Sequence, residues 1–254
     1  MLRAVPWEDP DATALRREMH ETSSAVLYPE LFEGLDAAGP SPRVVVVGAG
    51  FIGLEAVENL LARGAHVTLV TRGAQVLSPL DVEMAAPVLS LLRDAGVDVR
   101  LGVTVTGAEP GRVHLSDGSA VEAVLVVEAS GVRPDRRLAD AAGIRLGPTG
   151  GIAVDARHRT SAPKVWAVGD GVEKRDSLDG APTLVTMAGL ANRHGRAAAD
   201  DIAGIEPGDA APALGTDILG LLGTTVALIG WNERRLRDAG RPHRIVHTHP
   251  SSHA

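Results

Sequence analysis

The sequence predicts an α/β fold in which a central parallel sheet carries an antiparallel three-stranded meander. Three observations predict it. A β-branched run, Arg43-Val44-Val45-Val46-Val47, leads straight into a glycine-rich turn and a helical apolar stripe. A second apolar strand, His66 to Val70, then completes a strand–helix–strand unit within about 30 residues, which requires the two strands to be parallel. Between Val103 and Val127 the apolar period changes to two, as half-buried antiparallel strands require.

Each element follows in chain order. Residues 1–38 read as an irregular arm, with Asp11 capping a helix over Ala12 to Glu21 and a second short helix around Leu27 to Leu35. Gly39-Pro40-Ser41-Pro42 breaks the chain and opens a new domain. The valine run suits a strand buried on both faces. Behind Gly48-Ala49-Gly50, Ile52, Ala56 and Leu60 share a helical stripe flanked by Val57 and Leu61, and Arg63-Gly64 stops the helix. A second helix spans Asp81 to Ala95 and buries Val88, Leu91, Leu92 and Ala95; Pro87 either kinks it or marks its true start. Val97 to Arg100 is the next strand. Val103 to Thr106, Arg112 to Leu115 and Val121 to Val127 form the meander, its last pair joined by the hairpin dipeptide Asp117-Gly118. Val165 to Val168 reads as a short strand and Leu184 to Ile202 as mostly helix. The tail runs strand (Thr224 to Ile229), helix (Asn232 to Ala239), strand (Arg244 to Thr248).

Composition narrows the function. The 254 residues are 44% hydrophobic and 22% charged, an ordinary globular balance able to bury a core. A net charge of −7 without a basic cluster argues against nucleic acid and against an anionic membrane surface. Aromatic residues at 2% leave few platforms for stacking bases. The absence of cysteine removes disulfides, zinc–thiolate sites and thiol nucleophiles from this chain. The first residues lack an apolar signal core, and the uncharged run from Ile218 to Trp231 is about 14 residues, short of the ~20 a spanning helix needs. The expected compartment is the cytoplasm.

The chemistry centres on Gly48-Ala49-Gly50-Phe51-Ile52-Gly53. A Gly-x-Gly-x-x-Gly string alone is a weak signal, and the competing reading is a tight strand–helix turn without a ligand. Its place between a strand and a helix, with a second strand at the right distance, favours a Rossmann-like dinucleotide site. Gly48 permits the turn, Gly50 lets a pyrophosphate approach the backbone, and Gly53 lets the helix pack on the strand. The free N–H groups near Phe51 and Ile52 then face the phosphates along the helix dipole. At the end of the second strand an acidic residue would bind a ribose 2′-hydroxyl. Thr71 and Arg72 stand there instead, a pair suited to a 2′-phosphate. This favours NADPH over NADH; the competing reading makes Arg72 a solvated surface arginine.

Three further segments carry a family resemblance. Glu55 follows the third glycine in Gly-Phe-Ile-Gly-Leu-Glu. Gly131-Val132-Arg133-Pro134-Asp135 follows the long apolar strand, and Thr160-Ser161-Ala162-Pro163-Lys164-Val165-Trp166-Ala167-Val168-Gly169-Asp170 ends in a Gly-Asp pair. In this order, from Arg43 to Ala254, they resemble the FAD-dependent pyridine nucleotide–disulfide oxidoreductases. The tail, from Gly215-Thr216-Asp217 to His247-Thr248-His249, resembles the interface domain of the coenzyme A-disulfide reductase and NADH oxidase branch.

The resemblance implies FAD and NADPH (or NADH) as cofactors. It places Gly169 and Asp170 at the flavin ribitol and phosphates, and Met187-Ala188 at the helix start beside the isoalloxazine. Glu55 falls near the nicotinamide ring and Gly131 against the nicotinamide cofactor. Thr186 and Met187 depart from the proline and leucine more usual in the family, and Glu55 reads equally as a surface carboxylate. The clustered histidines His243, His247, His249 and His253 raise a metal site, with His247 and His249 on one strand face, but no carboxylate lies nearby in sequence. No metal is expected.

The resemblance also implies a domain plan: a remnant of the FAD domain over 1–38, an NAD(P)-binding domain over 39–156, a C-terminal FAD segment over 157–208, and the start of a dimerisation domain over 209–254. The family's first glycine-rich unit and its redox cysteine have no counterpart here, so the chain reads as truncated at both ends. The expected activity is hydride transfer from NAD(P)H to flavin and on to a disulfide or oxygen acceptor, incomplete in this chain. A small-molecule substrate and a homodimer are the expected partners. Two rivals remain: a catalytically silent NAD(P)H-binding module that works with a partner, and an NADP-dependent dehydrogenase without flavin. The second lacks a convincing Tyr/Lys or His set.

Overall fold

The computed structural model describes residues 39–206 and 212–248. The helices expected at Ala12 to Glu21 and Leu27 to Leu35 lie outside them, as do His249 and His253.

Four valines in a row have neither helix periodicity nor a polar face, and they form the central strand β1 (Arg43–Val47). Helix α1 (Phe51–Ala62) returns the chain to β2 (His66–Thr71), and helix α2 (Val82–Asp94) leads to β3 (Asp98–Leu101). Strand β7 (Leu125–Glu128) enters on the far side of β1, giving a parallel sheet in the order β3-β2-β1-β7. Register places Val47 opposite both Val70 and Glu128, so the carboxyl ends of β1, β2 and β7 finish level.

Alternation divides the core. Val44 and Val46 face the helices, packing with Leu54, Val57 and Leu60 of α1 and with Ala85, Val88 and Leu92 of α2. Val45 and Val126 face the meander, formed by β4 (Val105–Glu109), β5 (Arg112–Leu115) and β6 (Ala120–Glu122), through Val113 and Leu115. Helices, sheet and meander are thus three layers, and burial of β1 on both sides explains why Val44 to Val47 carry no polar side chain.

Pro87 lies inside α2 and does not begin it. The helix starts after Asp81, whose carbonyl accepts N–H bonds from Met84 and Ala85, and it continues to Asp94. One bond in the ladder is forgone.

The run expected as a single strand from Val121 to Val127 is two. It leaves the meander after Glu122 and crosses at Ala123-Val124, where Val124 donates to the Arg43 carbonyl at 2.9 Å, then joins the parallel sheet. Period-two alternation continues through both halves, so only the long-range partners separate them.

The strand expected over Val165 to Val168 reduces to one bridge between Arg159 and Trp166. Val165 and Val168 are exposed and find no neighbouring strand among the described residues.

Past α3 (Arg137–Ala141), which had not been expected, the chain is irregular apart from the small ladder of β8 (Lys174–Arg175) with β9 (Pro182–Thr183). Helix α4 (Ala188–Ile202) then follows. The tail forms a hairpin of β10 (Thr216–Leu221), also unexpected, with β11 (Thr224–Ile229), and a short helix α5 (Glu233–Asp238) capped by Asn232. The hairpin turns through Leu222 and Gly223, both at positive φ, the two-residue geometry that matches strand twist. Leu219 and Leu221 enter the main core, and Glu58 accepts the Leu222 N–H at 2.7 Å, so the hairpin seats on α1. The expected final strand over Arg244 to Thr248 is absent: this stretch is irregular, and Ile245 and Val246 are exposed. Among the described residues no helix is long and apolar enough to cross a membrane.

Candidate functional site

The parallel register assembles the site. Because β1, β2 and β7 end level, the segments leaving them, Gly48–Gly53, Thr71-Arg72 and Ala129–Gly131, gather at one edge of the sheet. Crevices beyond the carboxyl ends of parallel strands are where α/β sheets bind ligands.

The three glycines of the first turn have different physical grounds. Gly48 sits at φ +107°, and a β-carbon there would fall 2.3 Å from the Ala129 carbonyl oxygen. At Gly53 a β-carbon would lie 1.9 Å from the Gly48 carbonyl oxygen, so any side chain would push α1 off the strand. Gly50 is otherwise. Its φ of −83° suits any residue, and a β-carbon there would meet no described atom within 4 Å. Neither conformation nor packing demands a glycine at that position; the space beside it is left open.

The start of α1 faces that space. The first N–H to find a carbonyl is that of Leu54, bonding Gly50 at 3.0 Å, which leaves those of Phe51, Ile52 and Gly53 outside the helical ladder. No acidic side chain occupies the first turn, so the positive end of the helix dipole is uncompensated. Ala49 is buried and its carbonyl accepts Leu77 N–H at 2.8 Å, while Phe51 and Ile52 pack against the core. Glu55 is exposed on the second turn.

At the end of β2, Thr71 is half-buried. Its carbonyl accepts Val103 N–H at 3.1 Å and its hydroxyl accepts Gly73 N–H at 3.3 Å. Arg72 is exposed and forms no ion pair among the described residues. Gly131 stands at φ +137° with open space around it, just after Ala129 bonds back to Val47 at 2.7 Å.

The Gly169-Asp170 turn approaches from the irregular half. A β-carbon at Gly171 would lie 4.0 Å from Cβ of Pro134, which sets this turn beside the loop that leaves Gly131. Gly169 is at φ +95° and Asp170 is exposed. Met187 caps α4 in extended conformation and its carbonyl accepts the Ala191 N–H at 3.0 Å; Ala188 is the exposed first residue of the helix.

Sequence reasoning missed the side chains that hold this second part in place. Asp201 of α4, 2% exposed at its side chain, accepts from Arg159 at 2.6 Å, from Trp166 Nε1 at 2.8 Å and from Arg157 at 3.3 Å. The Arg159 guanidinium, outweighing burial, holds the Asp201 carboxyl down to about 2. Glu173 accepts from the Thr149 N–H at 3.0 Å and from its hydroxyl at 2.7 Å. Lys174 is buried, and burial pushes its amine down. His158 and His194 are buried with ring centroids 4.3 Å apart; burial, then the charge of His194, brings His158 down to about 4. The only signal for these residues in the sequence is charge, which reads as solvated surface until the fold buries it.

The loops gathered at the carboxyl edge carry the glycine turn and Gly131, and the Gly-Asp turn lies beside the loop that leaves Gly131. The chain also matches the family model for pyridine nucleotide-disulphide oxidoreductases over residues 12–190. The chain belongs to that family. It is 39% identical over 168 residues to an NADH oxidase of Methanocaldococcus jannaschii, covering 65% of this chain and 37% of that protein. It is 28% identical over 196 residues to a coenzyme A disulfide reductase of Staphylococcus aureus, covering 77% of this chain and 45% of that protein. The structure of reduced CoADR-RHD from Bacillus anthracis superposes with a TM-score of 0.81 at 36% identity, over 84% of this chain and 38% of that one. These bear out the expected family, its branch and the α/β fold. The chain spans less than half the length of the curated relatives it matches.

Proposed function

We propose that this chain supplies the NAD(P)H site and part of the flavin site of an FAD-dependent oxidoreductase that moves hydride from NAD(P)H to flavin and on to a disulfide or oxygen acceptor. One observation carries the reading: Gly48 and Gly53 are demanded by the protein's own backbone, whereas Gly50 opens onto empty space in front of an uncapped helix. A pyrophosphate fits that space, receiving the N–H groups of Phe51, Ile52 and Gly53. Thr71 and Arg72 then reach the ribose and its 2′-phosphate, which favours NADPH over NADH. Glu55 and Gly131 flank the nicotinamide end. Asp170, an acceptor-only carboxylate when ionised, suits the ribityl hydroxyls of FAD, with Gly169, Met187 and Ala188 completing that side. When bound, the flavin takes up the hydride and relays electrons to the acceptor. This chain's part is to bind and orient; it holds no cysteine, so no thiol for the acceptor step comes from it.

The same reading assigns 39–156 to NAD(P) binding, 157–208 to the flavin side, and 209–254 to a dimer interface, in a cytoplasmic homodimer acting on a small molecule. Fluorescence titration with each nucleotide tests the core of it. NADPH is expected to bind more tightly than NADH, and Arg72→Ala to weaken NADPH about tenfold while leaving NADH unchanged. A clear preference of the unaltered chain for NADH would reject the role of Arg72.

A further inference from the structure

The backbone from Gly169 to Val172 is a tight turn that carries the exposed Asp170. Its own closure is weak: Val172 N–H reaches the Gly169 carbonyl at 3.3 Å. Ile152 braces its middle, donating its N–H to the Gly171 carbonyl at 2.9 Å and accepting the Glu173 N–H at 3.0 Å, and a side chain ties its two ends. Lys174, at 5% exposure, donates Nζ to the Gly169 carbonyl at 2.8 Å and to the Val172 carbonyl at 2.9 Å. One ammonium therefore bonds both ends of the turn, and its own backbone is held in the β8–β9 ladder opposite Thr183.

A cation in this position needs a reason. Burial disfavours the charged amine, with the Asp170 carboxylate acting the other way. An unbranched apolar side chain of similar length would fill the volume with no charge to desolvate. The neighbouring His158 does not share the role: neither of its buried ring nitrogens has a hydrogen-bond partner among the described residues. What Lys174 provides that an apolar residue cannot is a pair of donors aimed at the carbonyls on either side of Asp170.

We propose that Lys174 is the positioning residue of the flavin-side turn, fixing the backbone around Asp170 so that its carboxylate is presented to the ribityl hydroxyls of FAD. This rests on the assignment of Asp170 to the flavin made above.

Calorimetric titration of FAD into the full chain tests it, comparing the unaltered protein with Lys174→Met, Lys174→Arg and Asp170→Asn. NADPH titration of the same samples reports whether the nucleotide fold persists. Lys174→Met is expected to weaken FAD about tenfold, as Asp170→Asn does. Lys174→Arg, which keeps charge and donors, should remain within about threefold of the unaltered chain, and NADPH affinity should stay the same throughout. FAD affinity in Lys174→Met equal to that of the unaltered chain overturns the proposal. So does an equal loss in the Arg and Met variants with NADPH binding intact, because packing alone would then account for it. Failure of the unaltered chain to bind FAD would instead overturn the flavin assignment. The hold of Lys174 on the turn is then read from amide exchange at Val172 in Lys174→Met: about tenfold faster exchange upholds it, and unchanged exchange overturns it.

Discussion

Two turns of this molecule carry its functional reading, and they are held by different forces. The Gly48 turn hangs from a strand with parallel neighbours on both sides. Gly48 N–H bonds the Val70 carbonyl at 2.8 Å and Ala129 N–H bonds that of Val47 at 2.7 Å. Backbone ladders and an apolar core set its position, with the Glu128 carboxylate accepting the Ser130 N–H at 3.0 Å in the adjoining loop. The Gly169-Asp170 turn is flanked, among the described residues, by a single-residue bridge of Ile152 with Val172, where the Ile152 N–H bonds the Gly171 carbonyl at 2.9 Å. Its surroundings are tied by Lys174 to the carbonyls of Gly169 and Val172, by Asp201 to Arg157, Arg159 and Trp166, and by Glu173 to Thr149. A ladder distributes its hold over many equivalent bonds. A few buried charges concentrate it, and make it sensitive to single substitutions and to pH.

The sharpest break should come where the ladder-held turn has no room. Gly53→Ala places a β-carbon on the Gly48 carbonyl. It is expected to destabilise the chain by about 3 kcal/mol or more and to abolish NADPH binding, as thermal melting and titration will show. An unchanged melting temperature would mean that α1 moves away at no cost, and that the close approach is not a constraint.

On the charge-held side, Asp201→Ala leaves the Arg159 guanidinium and the Trp166 N–H without their acceptor and reduces Arg157 to its bond with Glu206. The melting temperature should fall by about 5 °C while NADPH affinity holds. Equal loss of NADPH binding would erase the distinction between the two regions.

Acid should separate them further. His158 is held at about 4 in the folded chain against an ordinary value of 6.5. Below pH 6.5 the unfolded chain therefore takes up a proton that the folded chain refuses. The contribution is fully present above 6.5 and is lost as pH falls toward 4. Urea unfolding at pH 7 and pH 4.5 should show about 2–3 kcal/mol of this loss in the unaltered chain and not in His158→Phe. Equal acid sensitivity in the variant would place the loss elsewhere.

The smallest effect sharpens the comparison most. Gly50→Ala meets nothing in the protein, so melting should stay within about 1 °C while NADPH affinity drops about tenfold, because the methyl occupies the space proposed for the pyrophosphate. A drop in stability instead would show that this glycine, like its two neighbours, serves the fold.

Legibility followed the same division. The valine strand, the glycine turn, α1 and β2 were readable because periodicity and turn chemistry are local, and those elements are stabilised by the contacts that the periodicity implies. The stretch from Val121 to Val127 misled because a single alternating pattern serves two sheets, and the crossing at Ala123-Val124 leaves no local mark. Val165 to Val168 and Arg244 to Thr248 have strand-like composition, but among the described residues the first gains one bridge, Arg159 with Trp166, and the second joins no sheet. Strand β10 went unread because Asp217 and Gly220 interrupt its apolar residues, and it becomes a strand only by pairing with β11 and burying Leu219 and Leu221 on α1. Lys174, Asp201 and His158 have no local signature: a lysine, an aspartate and a histidine in polar stretches look solvated.

The sequence by itself determined the βαβ unit, the three glycines and the order of motifs that places this chain among the pyridine nucleotide–disulphide oxidoreductases, since each depends on residues close together along the chain. Only the tertiary structure decided that Gly50 alone of the three opens onto free space, that Thr71-Arg72 and Gly131 share its edge of the sheet, and that buried charges hold the second turn. The reason is physical. Free space, level strand ends and desolvation are properties of what surrounds a residue, and those surroundings come from segments distant in sequence.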